Sequence, residues 1–262
     1  MITGGMHTMR ARSIAPVGMA AAPAVWAVCA WEARRARGGA KPFVEALPGS
    51  GLIGGGLGAR PIRIAWLGDS LAAGLGCDHI TDTPAHLTAR LLERPVEVSM
   101  FAVPGARVID VLGRQLPQLD LMVTDLVVIC VGANDVASAT PRARYAAQLD
   151  EVLTRLSPVP VVLLTLPDMA MADRLAQPLR SLAGAGARWF DVARARVASR
   201  HAHVVSVDIA SRPPGLSRKA GRVMLCADRF HPGPEGYRVW AERIATVCHQ
   251  ILESAAAPTF VD

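Results

Sequence analysis

A chain of 262 residues, 51% hydrophobic and 19% charged, carries enough apolar material for one packed domain plus a tail, which excludes a largely disordered protein. The formal net charge of +6 rests mostly on scattered arginines, and with aromatics at only 5% no stacking platform accompanies them, so nucleic acid is excluded as the main partner. Five widely spaced cysteines without a CxxC exclude a disulfide framework and a zinc site, and read as small buried apolar side chains.

The stretch 13–31, SIAPVGMAAAPAVWAVCAW, is nearly uncharged, with Arg10 and Arg12 before it and Arg34, Arg35 and Arg37 after it. Its length approaches the ~20 residues that span a bilayer. A basic start, an apolar middle and small residues around Cys29 also fit a secretory signal. The segment favours export or membrane anchoring over a cytoplasmic location. Residues 47–61 are glycine-rich and read as a linker. Gly49, Gly51 and Gly54 spell GxGxxG there, but this pattern binds a dinucleotide only after a strand and at the start of a helix. Here a linker precedes it and a strand follows, so that reading is rejected. The expected organisation is a leader and linker over 1–59 and a folded domain over 60–262.

From Ile62 the chain alternates strand and helix. A buried strand is expected over 62–67, and a helix opens at Thr83-Pro84, a cap followed by proline at the first helical position. A second strand follows over 96–102, then the amphipathic ARVIDVLGRQL. The uniformly apolar run 125–131 fits a strand buried on both faces. TPRARYAAQLDEVLTRL is helical, with Tyr145, Leu149, Val152, Leu153 and Leu156 on one stripe. A strand in VPVVLLTL, a helix within 177–199, a strand in HVVSVDIA and a closing helix from Gly233 complete the pattern. Such alternation implies a mainly parallel sheet covered on both faces. Ligands then bind beyond the carboxyl ends of its strands.

Those ends carry Gly68-Asp69-Ser70, Pro104-Gly105, Gly132-Ala133-Asn134-Asp135 and Pro167-Asp168, and Asp228-Arg229-Phe230-His231 precedes the last helix. Acyl transfer needs an activated nucleophile, a base near neutrality, a carboxylate to orient that base, and donors facing the oxygen that becomes negative. Ser70, His231 and Asp228 supply the first three. The N–H groups of Ser70 and Gly105 and the amide of Asn134 supply the fourth, and a helix beginning after Ser70 would add its positive end. Asp168 follows a strand end and reads equally as pocket lining or as plain loop. Asp69 reads as a turn-holding acid, with substrate contact as the alternative.

GDSLAAGLG, the Gly105 of AVPGARVIDVL, VGAND and DRFHP occur in the order and spacing of the four blocks of the SGNH hydrolases, or GDSL esterases/lipases, and the chain resembles that family over about 60–253. The resemblance implies Ser70 as nucleophile, His231 as base and Asp228 as its orienting acid, with Ser70, Gly105 and Asn134 as the oxyanion hole. It also implies a flavodoxin-like three-layer α/β/α sandwich with a five-stranded parallel sheet, and neither metal nor organic cofactor. The expected activity is hydrolysis of carboxylic esters, whether short-chain, acetyl-carbohydrate or lipid, through an acyl-enzyme. An acyltransferase on the same residues and a non-catalytic flavodoxin-like binding module are the rivals. The second block departs from the pattern, with Arg107 where the family often has Thr or Ser; an exposed helix position is preferred over an anion-binding role.

Other constellations read as structural. Gly68-Asp69-Ser70-Leu71-Ala72 lacks the last glycine of a Gly-x-Ser-x-Gly elbow. No lysine stands near it for a phosphate loop. His79 and His86 lie too close to Ser70 in sequence to serve as its base. His201, His203 and Asp208 form a loose metal-like cluster without a third ligand at a useful spacing, and read as surface. Arg188, Arg194, Arg196 and Arg200 read as a solvated helix face.

Overall fold

Five short, mainly apolar runs build the parallel part of the sheet, interrupted only by Arg63, Glu97, Ser99 and Ser206. The computed structural model describes residues 50–54, 60–211 and 223–256. Its strands are β1 (Gly51–Ile53), β2 (Ile62–Gly68), β3 (Val96–Met100), β4 (Leu126–Cys130), β5 (Val161–Leu164) and β6 (Val204–Val207). They lie in the order β1-β3-β2-β4-β5-β6, with β2 to β6 parallel and β1 antiparallel to β3. Without β1 this is the flavodoxin-like order 2-1-3-4-5.

The sixth strand corrects the reading of 47–61 as linker throughout. Gly51 pairs with Val98 and Ile53 with Val96, and Ile53 packs on the core, so an apolar pair inside the glycine-rich stretch is enough to add an edge strand. Gly51 of the GxGxxG there lies in this strand. The candidate membrane segment 13–31 lies outside the described residues, and among the described residues no helix is long and apolar enough to cross a membrane.

The helices are α1 (Pro84–Leu91), α2 (Val108–Asp110), α3 (Ala133–Ala137), α4 (Arg142–Leu156), α5 (Leu179–Ala198) and α6 (Pro234–Ala256). The short α2 continues through a π-helical turn, Val111–Gln115, into a 3-10 turn, Leu116–Gln118. Period two sorts the strands between two cores. Ile64, Trp66, Val128 and Val162 face α1 and α6, whereas Ala65, Leu67, Val127, Ile129 and Leu163 face the 108–118 segment, α4 and α5. All five residues of the α4 stripe are fully buried.

One helix-face reading fails. Arg188, Arg196 and Arg200 are exposed, but Arg194 is only 4% exposed. Its Nε donates to Asp191 Oδ1 at 2.8 Å, and its Nη1 donates to Ser206 Oγ at 3.2 Å and, at a long 3.4 Å, to the Leu163 carbonyl. The five-donor fork satisfies the sheet edge where an apolar side chain would leave those acceptors unpaired. His201 and His203 are half-buried rather than on the surface. His201 Nε2 meets Asp150 Oδ1 at 2.8 Å and His203 Nε2 the Leu153 carbonyl at 3.0 Å, which ties the start of β6 to α4. Among the described residues no group of three or more His, Cys, Asp or Glu is arranged to hold a metal ion.

Candidate active site

The chain moves from β2 to β3 on one side, then crosses to β4 on the other, which opens a crevice beyond the ends of β2 and β4. Ser70 follows β2 and Asn134 follows β4, so both stand at this switch point.

Ser70 is delivered by an abrupt strand end. Gly68 has φ +138°, and a Cβ there would lie 1.9 Å from the Cys130 carbonyl oxygen, so only glycine fits. Asp69 N–H then donates to that carbonyl at 3.0 Å, and Asp69 Oδ1 accepts the Leu71 N–H at 2.9 Å. The expected helix after Ser70 does not form. A closed turn replaces it, with Ala73 N–H on the Asp69 carbonyl at 3.1 Å and Leu75 N–H on the Ser70 carbonyl at 2.9 Å. Gly74 (φ +75°) and Gly76 (φ +106°) take left-handed conformations that end any helical path, so no helix dipole points at Ser70.

The base arrives on a loop closed on itself. Cys226 N–H donates to the His231 carbonyl at 2.9 Å, and Gly233 N–H to the Met224 carbonyl at 2.8 Å. Gly76 lets this loop sit directly on the Ser70 turn, since a Cβ there would be 2.3 Å from the Pro232 carbonyl oxygen. Within the loop Asp228 Oδ1 accepts the Phe230 N–H at 2.7 Å, the His231 N–H at 2.9 Å and the Cys226 thiol at 3.0 Å. Asp228 Oδ2 meets His231 Nδ1 at 2.6 Å, and His231 Nε2 lies 3.1 Å from Ser70 Oγ. A carboxylate on Nδ1 selects the tautomer with the proton there, which leaves Nε2 to accept from the serine hydroxyl. Partial burial pushes the Asp228 carboxyl up, but the bonds from His231, Cys226 and the backbone outweigh it and hold the group well below the ordinary range, so it stays ionised. Arg229, between acid and base, adopts φ +57°, uncommon for a side chain of its kind.

Gly105 (φ +84°) sits in a turn closed by Ala106 N–H on the Val103 carbonyl at 3.0 Å, and lines the cavity. Asn134 Nδ2 donates to the Ala106 carbonyl at 3.0 Å, joining the two loops. Its other hydrogen has only a long 3.4 Å contact to Asp69 Oδ2, which leaves that donor available to an oxyanion.

Asp69 is 1% exposed and does not reach the cavity, so the alternative of substrate contact is corrected: the carboxyl serves Leu71 and Asn134 beneath the site. Burial pushes Asp69 up to about 7, aided by nearby Asp135 and opposed by the Leu71 N–H. Asp168 does line the cavity, where its Oδ1 caps the turn Met169–Met171 through the Ala170 N–H at 3.1 Å. Arg107 does not line it; its side chain pairs loosely with Asp110 at 3.9 Å.

The cavity holds about 260 Å³ and opens beside Ser70 and His231. Beyond them its walls are mostly apolar, including Ala137, Met169, Met171, Ile209, Met224 and Trp240. Two participants escaped the sequence reading. Cys226 gives no signal, since a cysteine two positions before an acid is unremarkable. Gln115 does give one: it is a polar residue on the apolar stripe of Val108 and Val111, and it is 1% exposed.

A family model described as the GDSL-like lipase/acylhydrolase family matches residues 66–239. A GDSL-like esterase of Mycobacterium tuberculosis is 31% identical over 193 residues, which cover 69% of this chain and 60% of that protein. The chain thus spans about 60% of the length of the curated relative it matches. Among solved structures, phospholipase A1 from Streptomyces albidoflavus superposes with a TM-score of 0.55 at 21% identity, over 73% of this chain and 99% of that one. An acetylxylan esterase from Geobacillus stearothermophilus does so with a TM-score of 0.52 at 17% identity, over 71% and 93%. At these identities the structures share the fold.

Proposed function

The chain belongs to the GDSL-like lipase/acylhydrolase family, and from that premise we propose that it is a serine esterase acting on carboxylic esters with an aliphatic acyl group. The observation that carries this reading is the continuous chain of contacts from Ser70 Oγ through His231 to Asp228, 3.1 Å and 2.6 Å, at the mouth of an apolar cavity. His231 Nε2 takes the serine proton as Ser70 Oγ attacks the ester carbonyl. Charge grows on the carbonyl oxygen and is met by the N–H groups of Ser70 and Gly105 and by the Asn134 amide hydrogen whose contact to Asp69 is long. Asp228 stabilises the imidazolium formed on His231. The imidazolium protonates the departing alcohol, and the acyl group remains on Ser70. Water, deprotonated by His231, then attacks the acyl-enzyme and frees the serine.

The apolar walls favour an alkyl chain over an acetyl group carried on a sugar, because each methylene removed from water contributes about 0.8 kcal/mol. The test is hydrolysis of p-nitrophenyl esters of increasing chain length. kcat/KM is expected to rise from acetyl towards medium chains and then fall when the cavity is full. Ser70→Ala is expected to lose activity by at least about a thousandfold while its circular dichroism stays unchanged. Wild-type turnover in that variant would defeat the esterase reading, and a maximum at acetyl would defeat the aliphatic acyl group.

A further inference from the structure

We propose that Gln115 is a positioning residue of this active site, one that fixes the Ser70 turn against the Gly105 loop through a two-point bond to Gly68. The inference rests on the esterase reading above. Gln115 Oε1 accepts the Gly68 N–H at 2.8 Å, and Gln115 Nε2 donates to the Gly68 carbonyl at 2.8 Å. The side-chain amide thus pairs with one residue's backbone as a neighbouring strand would.

The place where this happens gives it meaning. The last β2–β3 register pair is Trp66 with Met100, so Gly68 lies beyond the end of β3. On its other side Gly68 stands opposite Cys130. A buried backbone N–H and C=O at that point need partners. Val103 N–H gives one bond to the Gly68 carbonyl, at 3.0 Å, and Gln115 supplies the rest. Gly68 itself holds φ +138° with no room for a side chain, two residues before the nucleophile. A glycine in that conformation has wide freedom unless its surroundings fix it.

Gln115 reaches Gly68 from the segment 108–118, which begins three residues after Gly105. That segment is itself anchored to the third loop, because Val108 N–H donates to Asp135 Oδ2 at 3.0 Å. The π-helical turn Val111–Gln115 ends on this residue, and turns of that kind recur where a helix must aim one side chain. Gln115 therefore links the backbone that carries Ser70 to the loops that carry Gly105 and Asn134. The separation between nucleophile and oxyanion donors depends on that link, and a displacement of about 1 Å in such a geometry costs up to a hundredfold in rate.

The test compares wild type, Ser70→Ala, Gln115→Leu and Gln115→Glu on one p-nitrophenyl ester, with circular dichroism and hydrogen exchange of the Gly68 amide at each pH. Gln115→Leu is expected to lower kcat about 10- to 100-fold with KM within about twofold, and to speed exchange at Gly68. Gln115→Glu carries the sharper prediction. A neutral carboxyl offers the same acceptor and donor as the amide, and burial holds it neutral to higher pH than in water. Relative to wild type at the same pH, that variant is expected to match kcat at low pH and to fall below it as pH rises, with unchanged circular dichroism, whereas the ratio for Gln115→Leu stays constant. A folded Gln115→Leu with wild-type kcat, or kcat and KM shifting together, overturns the proposal. So does failure of both Gln115 variants to fold, which would make the residue one of folding alone. Full activity in Ser70→Ala would instead defeat the esterase reading, while the Gly68 exchange still reports whether the amide link exists.

Discussion

Among the described residues Asp228 holds four hydrogen bonds, three on Oδ1 and one on Oδ2, and this division sets the direction in which the carboxylate faces His231. The weakest of the three on Oδ1 comes from the Cys226 thiol, a poor donor. Cys226→Ala removes it and leaves the two backbone donors, so a fall of about two- to fivefold in kcat/KM is expected with the fold intact. Cys226→Ser restores a stronger donor and should recover wild-type rate, while equal losses in both variants would mean packing rather than hydrogen bonding. The juxtaposition of Ser70 and His231 was legible because one stands at a strand end and the other before the last helix, both beyond the carboxyl edge of the sheet. Cys226 was not, because its role depends on a loop closing through Cys226 N–H and the His231 carbonyl, which no local pattern announces. Gln115 was not read as buried, although it lies on the stripe of Val108 and Val111, and its bond to Gly68 has no sequence signal. Arg194 misled because helical spacing places it on a face without saying what lies opposite.

At the scale of elements, the strands and long helices followed from periodicity, and the segment after Ser70 did not. Ala and Leu favour helix there, but Gly74 sits against Thr83 and Pro84, and Gly76 brings the loop of Pro232 against the turn. Close approach between distant segments decided the conformation, and sequence spacing does not carry that information. β1 was missed for a related reason, since three residues inside a glycine-rich stretch become a strand only because β3 offers an edge. The packing of α6 on this turn yields a prediction with two arms. Tyr237 is fully buried, and its hydroxyl donates to the Leu75 carbonyl at 2.7 Å. Tyr237→Phe should cost about 1–2 kcal/mol in urea denaturation, as one buried acceptor loses its donor, with activity retained at temperatures well below its melting point. Gly76→Ala forces the Pro232 loop away and should lower kcat at least about tenfold. Equal activity in both variants would show that the Ser70 turn tolerates movement of the His231 loop.

Across the described residues, burial rather than ion pairing governs how several acids titrate. Burial raises Asp69 to about 7, and burial likewise raises Asp135 and Asp191 despite the backbone donors of Val108 and Leu166. A carboxyl raised on folding keeps its proton where the unfolded chain has lost it. Its contribution to stability is fully present below the unfolded value of about 3.9 and is lost as pH rises through the folded value. Asp228 and Asp208 are lowered and act oppositely: their contribution is present above the unfolded value and is lost as pH falls through the folded one. That window lies in strong acid, away from the interval in which Asp69 titrates. His86 and His203 are lowered mainly by burial, so their contribution too is present above the unfolded histidine value of about 6.5 and is lost as pH falls through the folded values. Between pH 5 and pH 8 the Asp69 term should therefore emerge in the difference between two melting curves. Asp69→Asn keeps an oxygen for the Leu71 N–H and cannot ionise, so its Tm relative to wild type should rise steadily as the pH is raised from 5 to 8. A constant difference over that range would mean that Asp69 ionises at ordinary carboxylate pH, which would require water or a cation to reach a group that is 1% exposed.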